Sequence, residues 1–377
     1  MTPKKIGIIG AGPAGAWLAY RLAQAGLEVL IYDHKVPWEK PCAGGLSSVL
    51  WGRFPELDPL KSQGYPNRKF RIVTVLGEKL ESEVSHPLYT VTRKRLGRFL
   101  MDKAASAGAE FSPAKVDNFT RNNNGVELID NRGGRARVDF MVGADGVSSL
   151  VRRKLCGAWA SRNFNYSLSV LIPKPVSVPL TFQFFSGLAG YTWIFPGIDS
   201  TSIGIGAKAG RYKAETLFSF LAQMVSKNPE LSGLNLDLRA EAVAALIPSL
   251  TFSSFLRQKV VGEYWALAGD ASGAAHPVSG GGIHNAIFSA NLLADSIISG
   301  NPRRYQQDWR RMCRQELTGA SLWGPIFYRP GMQKLFSKMI AKSEAARALT
   351  VELLPGGRPK RTAVLLKLLK AVSQVLI

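Results

Sequence analysis

The 377-residue chain is short of cysteine, histidine and acid, and each shortage narrows its chemistry. Its three cysteines, Cys42, Cys156 and Cys313, lie far apart, form no CxxC pair and match no metal-ligand spacing, and an odd number does not build a disulfide framework. A reducing, intracellular setting and no metal site are the expectation. Asp and Glu total 27 against 48 Lys and Arg, a net charge of +21. A surplus of that size speaks of partners and not of fold. No stacked-aromatic basic motif accompanies it, which argues against nucleic acid and favours an anionic membrane or an acidic protein carrier. Long apolar runs are missing too. Residues 175–198 carry no charge, but Pro175, Pro179, Gly187, Gly190 and Pro196 interrupt them. That pattern predicts a buried hairpin region and no membrane span. The amino terminus reads as a strand and not as a charged-then-apolar leader, so no signal peptide is expected. There is no internal repeat and no low-complexity tract.

What is present begins at once. Lys4 to Ile9 reads as an apolar strand, Gly10-Ala11-Gly12-Pro13-Ala14-Gly15 follows it, and Ala16 to Ala25 reads as a helix. Gly10 allows a tight turn, Gly12 lets backbone approach a diphosphate, and Gly15 lets helix pack on strand. The helix start adds free N–H groups and the positive end of its dipole. A second strand, Leu27 to Tyr32, ends in Asp33, where a dinucleotide fold places its ribose-binding acid.

Two later stretches repeat the strand-then-turn pattern. Phe140 to Ala144 is an apolar strand entering Asp145-Gly146, followed by Ser148, Ser149 and Arg152. Asp145 caps a turn, Gly146 supplies positive φ, and Ser149 bonds local backbone. Tyr264 to Ala268 leads into Gly269-Asp270-Ala271-Ser272-Gly273, and His276-Pro277-Val278-Ser279-Gly280-Gly281-Gly282-Ile283 opens a long helix to Ser299. An acid at a strand end suits a hydroxyl-bearing chain. A triple glycine before a helix lets backbone approach a flat ring and points a dipole at its carbonyl edge. Between these parts, residues 36–66 read as a loop of special conformation, Arg93 to Ala107 and 214–228 as helices, and 69–91, 110–140 and 164–210 as strands.

GxGxxG, GADGxxSxVR and GDASG…P…GGGI, in that order, resemble the FAD enzymes of the para-hydroxybenzoate hydroxylase superfamily. Lys40-Pro41-Cys42-Ala43-Gly44-Gly45-Leu46 resembles the KPCGGGL motif of the geranylgeranyl reductase family within it. Tyr191-Thr192-Trp193-Ile194-Phe195-Pro196, with Gly204 and Gly206, resembles that family's YxWxFP motif. The resemblance covers about residues 4–300. Ala43 departs from it, standing where the family has a glycine, and 301–377 carry no motif.

The resemblance implies an α/β (α+β) fold: a Rossmann-like FAD-binding domain, an interleaved antiparallel β-sheet substrate domain and a helical carboxy-terminal region. The expected divisions are 1–70, 92–160 and 258–300 for FAD, 71–91 and 161–257 for the β-rich domain, and 301–377 for a helical, basic region. Gly10, Gly12, Pro13, Ala14 and Gly15 would hold the diphosphate, Asp33 the ribose, and Arg93, Asp145, Gly269 and Asp270 the diphosphate or ribityl region. Gly280, Gly281, Gly282 and Ile283, with Cys42, Ala43 and Gly44, would line the flavin. Tyr191, Trp193 and Phe195 are candidate walls for an isoprenoid chain, and His276 a further substrate contact. Cys42, Tyr191 and Trp193 are the catalytic candidates.

The activity implied is saturation of C=C bonds in a geranylgeranyl-type lipid or prenyl chain by hydride from reduced flavin. A flavin monooxygenase or halogenase on the same fold is the alternative, and a non-catalytic flavoprotein a third reading. NADPH, or a reduced ferredoxin or flavodoxin steered by the basic surface, is the expected electron donor. Leu365, Leu366, Leu368, Leu369, Val372, Val375 and Leu376 with Arg358, Lys360, Arg361, Lys367 and Lys370 read as a basic amphipathic helix. It would bring a cytoplasmic protein to the inner membrane face as a peripheral contact, or pack on the domain.

Overall fold

The computed structural model describes residues 3–353. The expected amphipathic helix at 358–377 lies outside them. The described chain divides into two compact units: 3–40, 93–165 and 246–322 form one, and 41–92, 166–245 and 323–353 the other.

The first unit is built on a six-stranded sheet in the order Val261–Gly262, Trp265–Leu267, Phe140–Gly143, Lys5–Ile9, Glu28–Tyr32, Glu110–Ser112. Ile6 pairs with Phe140 on one side and Val29 on the other, both in parallel register. The three strands that carry the glycine and acid motifs are therefore neighbours, although some 260 residues separate the first from the last. These strands are apolar without alternation, as a parallel sheet covered on both faces requires. The Pro13–Gln24 helix packs against Arg93–Ser106 and Ile283–Ile298. Trp17 and Leu18, both fully buried, fill that contact. A three-stranded antiparallel sheet, Val116–Asn122, Gly125–Asp130 and Arg135–Val138, completes the unit's strands.

The second unit is organised by an eight-stranded sheet ordered Val243–Pro248, Phe164–Ile172, Thr201–Lys208, Gly190–Pro196, Leu180–Gln183, Tyr65–Val73, Lys79–Thr90, Gly45–Leu46. The uncharged stretch at 175–198 supplies its Leu180–Gln183 and Gly190–Pro196 antiparallel hairpin. Alternation along Gly190–Pro196 assigns two faces. Ile194 joins a core with Leu217, Leu221 and Met224 of the Ala214–Ser226 helix, while Trp193 and Phe195 pack with Phe70, Leu88 and Leu180.

Three expectations need correction. The loop at 36–66 contains a helix, Ser48–Arg53, a 3-10 segment, Pro55–Gln63, and the edge strand Gly45–Leu46. Leu50, Leu57 and Leu60 are buried and hold these turns in place, and Pro55 and Pro59 broke the pattern that would have revealed them. Residues 41–70 belong with the β-rich unit because Tyr65–Val73 pairs along its length with Lys79–Thr90. The helical tail is not a body of its own: 301–322 lie in the first unit and 323–353 in the second.

Candidate functional site

In the first unit the three motifs meet through their glycines. Gly10 adopts φ +99°, and a Cβ there would stand 2.5 Å from the Ala144 carbonyl oxygen. A Cβ on Gly15 would be 1.8 Å from the Gly10 carbonyl oxygen and 3.2 Å from Ala144 Cβ. Gly269, at φ +60°, would meet Ala14 Cβ at 2.8 Å. No larger residue fits these contacts, and each joins one motif to another. Gly12 differs: a Cβ there would touch nothing within 4 Å. Gly12 also caps the Pro13–Gln24 helix without any side-chain hydrogen bond, so the first N–H groups of that helix are not satisfied by a capping side chain.

Asp33 closes the same turn from the end of the second strand. Its Oδ2 accepts from the Ala11 N–H at 2.9 Å, and its Oδ1 from Lys35 N at 2.8 Å and Val36 N at 3.3 Å. Asp145 accepts from the Leu150 N–H through Oδ2 at 2.6 Å, while its Oδ1 is buried without a hydrogen-bond partner. Desolvation raises its pKa above the ordinary carboxylate value, opposed by hydrogen bonds from Ser149 and backbone. Arg93 opens its helix with its N–H on Glu39 Oε1 at 2.9 Å, and its buried Nε has no partner.

Asp270 stands 3.7 Å from the Lys40 ammonium, and a Cβ on Gly282 would lie 3.3 Å from Asp270 Oδ1. Gly282 caps the Ile283–Ile298 helix, again with no side-chain cap. Its loop is braced by His276, whose N–H bonds the Gly281 carbonyl at 3.0 Å and whose carbonyl accepts from Gly280 N at 2.9 Å. The His276 ring accepts from Ser279 N through Nδ1 at 3.1 Å. Burial lowers its pKa to about 4, which keeps the ring neutral and Nδ1 an acceptor. Ser272, fully buried, bonds the Gly269 carbonyl at 2.7 Å and accepts from Trp309 Nε1 at 3.2 Å, so the serine pins this turn.

These residues fit FAD. Two uncapped helix starts, an open Gly12 beside them, and the unsatisfied buried Arg93 Nε and Asp145 Oδ1 are the donors and acceptors a diphosphate-and-ring ligand uses. A model matching the FAD binding domain covers residues 4–177. The digeranylgeranylglycerophospholipid reductase of Methanocella arvoryzae is 28% identical over 327 residues, 78% of this chain and 78% of that protein. The chloroplastic geranylgeranyl diphosphate reductase of Nicotiana tabacum is 24% identical over 367 residues, 86% of this chain and 75% of that one. The chain carries an FAD binding domain and is similar along most of its length to geranylgeranyl reductases. The fold agrees: a geranylgeranyl bacteriochlorophyll reductase-like protein of Thermoplasma acidophilum superposes with a TM-score of 0.74, covering 99% of this chain and 97% of that chain at 19% identity.

Apart from Lys40, which ends the first unit's opening segment, the two narrower motifs fall in the second unit. Gly44 holds φ +74°, and a Cβ there would lie 2.4 Å from the Val91 carbonyl oxygen. Ala43 is not among the positive-φ residues, which is why alanine is accommodated there. It packs against the Trp193 and Phe195 cluster. The Gly44 N–H points to Cys42 Sγ at 3.4 Å, and the Cys42 carbonyl accepts from Ser202 Oγ at 3.3 Å. Ser202 Oγ in turn accepts from Trp193 Nε1 at 3.2 Å. A Cβ on Gly204 would stand 2.3 Å from Trp193 Cζ2, so the glycine makes room for the indole.

Trp193 and Phe195 are thus buried supports, at 7% and 6% exposure, and Tyr191 is the half-buried member of the three. Tyr191 lies in ring contact with Phe182 at 5.6 Å, Trp193 at 6.1 Å and Phe184 at 6.2 Å. Burial, and secondarily the neighbouring Cys42, push the Tyr191 hydroxyl well above the ordinary phenol range. The ring series then runs on where no motif pointed: Phe184 meets Phe327 at 5.6 Å and Phe336 at 6.3 Å, and Phe327 meets Tyr328 at 5.3 Å. Phe182, Phe184, Phe327, Tyr328 and Phe336 are all half-buried. The only sequence signal of Phe327, Tyr328 and Phe336 is aromatic density in a helical tail that otherwise reads as basic.

Lys40, Glu39 and Ser272 were also missed as supports. Among the described residues no group of His, Cys, Asp and Glu is placed to hold a metal ion, and no helix is long and apolar enough to cross a membrane.

Proposed function

We propose that this chain saturates carbon–carbon double bonds of a geranylgeranyl-type isoprenoid lipid. The observation that carries the reading is the half-buried aromatic wall around Tyr191, whose proton-bearing groups are a phenol and the Cys42 thiol. Rings of this kind suit an apolar polyene, and a phenol kept neutral by burial is a proton source it tolerates.

When bound, FAD supplies the hydride that reduces one alkene carbon. Gly10, Gly12, Pro13, Ala14 and Gly15 hold its diphosphate against the helix start, and Asp33 keeps free lone pairs for the ribose. Arg93, Asp145, Gly269 and Asp270 meet the diphosphate and ribityl chain. Gly280, Gly281, Gly282 and Ile283 offer backbone to the ring. Tyr191 remains protonated through the neutral range and gives a proton to the second alkene carbon, and a solvent proton passed on by the neighbouring Cys42 thiol restores it. Trp193 and Phe195 keep the wall in place. His276 holds the Ser279–Gly282 loop and touches substrate only through that loop.

The electron donor is NADPH or a reduced acidic carrier such as ferredoxin or flavodoxin, the second favoured by the +21 charge. The same charge suits a peripheral contact with an anionic membrane, where such a lipid resides. The hydroxylase reading is disfavoured by Ser272-Gly273, which replace the Ala-His of the hydroxylases' GDAAH, and Ser272 is used as an internal pin.

The test is a mass spectrum of a geranylgeranyl lipid after anaerobic incubation with FAD-loaded, dithionite-reduced protein, beside a sample run in air with NADPH. Pairs of hydrogens added without oxygen are expected. Oxygen added only in air would replace the reductase with a monooxygenase.

A further inference from the structure

Resting on the reductase reading, we propose that the Tyr328 hydroxyl donates a hydrogen bond to an oxygen atom carried by the prenyl substrate. Tyr328 is thereby a specificity-determining residue, and the site takes oxygenated prenyl chains (alcohols, ethers or esters) ahead of bare polyene hydrocarbons.

The argument begins from a mismatch. Tyr328 sits at the end of the Thr318–Phe327 helix, in the part of the chain without any motif. Its ring belongs to the aromatic series, 5.3 Å from Phe327, which reaches Tyr191 through Phe184. Its Oη is buried and has no hydrogen-bond partner among the described residues. Desolvation holds the phenol well above its ordinary range, and Tyr191 contributes to that shift. Leaving a buried hydroxyl unpaired is unfavourable, whereas phenylalanine would fill the same space without that cost.

An unpaired donor beside an apolar wall is what a bound acceptor would satisfy. Isoprenoid chains themselves offer no acceptor, so the oxygen must belong to the head of the molecule. Tyr328 is always protonated at neutral pH and has one O–H to give, which matches an ether, ester or alcohol oxygen. It also has no opposite charge to present to a diphosphate. Sites that hydrogen-bond a substrate oxygen discriminate sharply against an analogue lacking it, because the donor is then left stranded.

The test compares geranylgeraniol with the hydrocarbon in which hydrogen replaces its hydroxyl, on the FAD-loaded wild type and on Tyr328→Phe. Binding is measured by competition in detergent micelles, and saturation by mass spectrometry. The wild type is expected to bind the alcohol about ten times more tightly than the hydrocarbon, a factor in line with one hydrogen bond. Tyr328→Phe should lose that factor through the alcohol alone, with hydrocarbon binding, flavin content and melting temperature held or raised. An unchanged alcohol-to-hydrocarbon ratio in the variant would overturn the proposal. So would equal weakening of both ligands, or a lower melting temperature, which mark a structural hydroxyl. The underlying reading fails separately: if the wild type prefers the alcohol but saturates neither chain, Tyr328 keeps its role and the reductase falls. If it saturates both with equal affinity, the reductase stands and this inference falls.

Discussion

Gly10, Gly15 and Gly269 in the first unit and Gly204 in the second are all positions without room for a Cβ, but they yield to different neighbours. The first three make way for backbone or for a small Cβ of another motif. Gly204 makes way for the Trp193 indole first, at 2.3 Å, and for the Leu168 carbonyl oxygen at 2.6 Å. Backbone against backbone admits one residue type only, so the first unit's site writes itself into the sequence as glycines at fixed spacing. Ring against ring admits many arrangements, and the second unit's site leaves a fainter trace. On the proposed reading, the contrast separates a region for a common nucleotide from one for a particular lipid.

The largest break in that comparison should come from Gly15→Val. Its Cβ falls 1.8 Å from the Gly10 carbonyl, and the carbonyl is backbone that cannot swing aside. A loss of about 3 kcal/mol in stability and of all retained flavin is expected, read by melting temperature and by absorbance of the purified protein. Retention of flavin would show that the motifs do not meet as described.

Tyr191→Phe should act on the other side alone. It removes one oxygen from a half-buried ring, so flavin content and the rate of flavin reduction should hold, while lipid saturation falls about a hundredfold. An unchanged saturation rate would transfer the proton role to Cys42.

The smallest effect concerns pH. The His276 ring is neutral in the folded protein down to about 4, below its ordinary value of 6.5. The unfolded chain therefore binds the proton first as pH falls. The stability contributed is complete above about 6.5 and is lost progressively as pH drops through the window to 4. Flavin retention by the loop at Ser279–Gly282 should decline over that window in the wild type. His276→Asn keeps an acceptor near Nδ1 that does not titrate, and should flatten this part of the profile. Identical profiles for the two proteins would remove His276 as the brace.

Legibility followed the same division. The strands entering Gly10, Asp145 and Gly269, the Arg93 helix and the Ile283 helix could be read from their apolar runs and their stops. The short helix and 3-10 turns at 48–63 could not, because Pro55 and Pro59 cut a buried face of only a few residues into fragments without a period. Tyr191 was legible through its neighbours in a strand. Phe327, Tyr328 and Phe336 were not, since their meaning comes from Phe184, nearly 150 residues earlier. Sequence also pointed to Asp33 as a ribose ligand without revealing that three backbone N–H groups already lean on it.

The central sheet places Phe140–Gly143 between Lys5–Ile9 and Trp265–Leu267, and the glycines before Ile283 follow later in the chain. During synthesis the first glycine turn must therefore wait for its partners. At about 5–20 residues per second, the interval before Ile283 emerges is roughly 15 to 55 seconds. For about the first half of it, until Phe140–Gly143 is made, the apolar Lys5–Ile9 strand lacks one flank. On the proposed flavin site, a chain that ends before that helix is expected to purify colourless, so colour would report nearly complete translation.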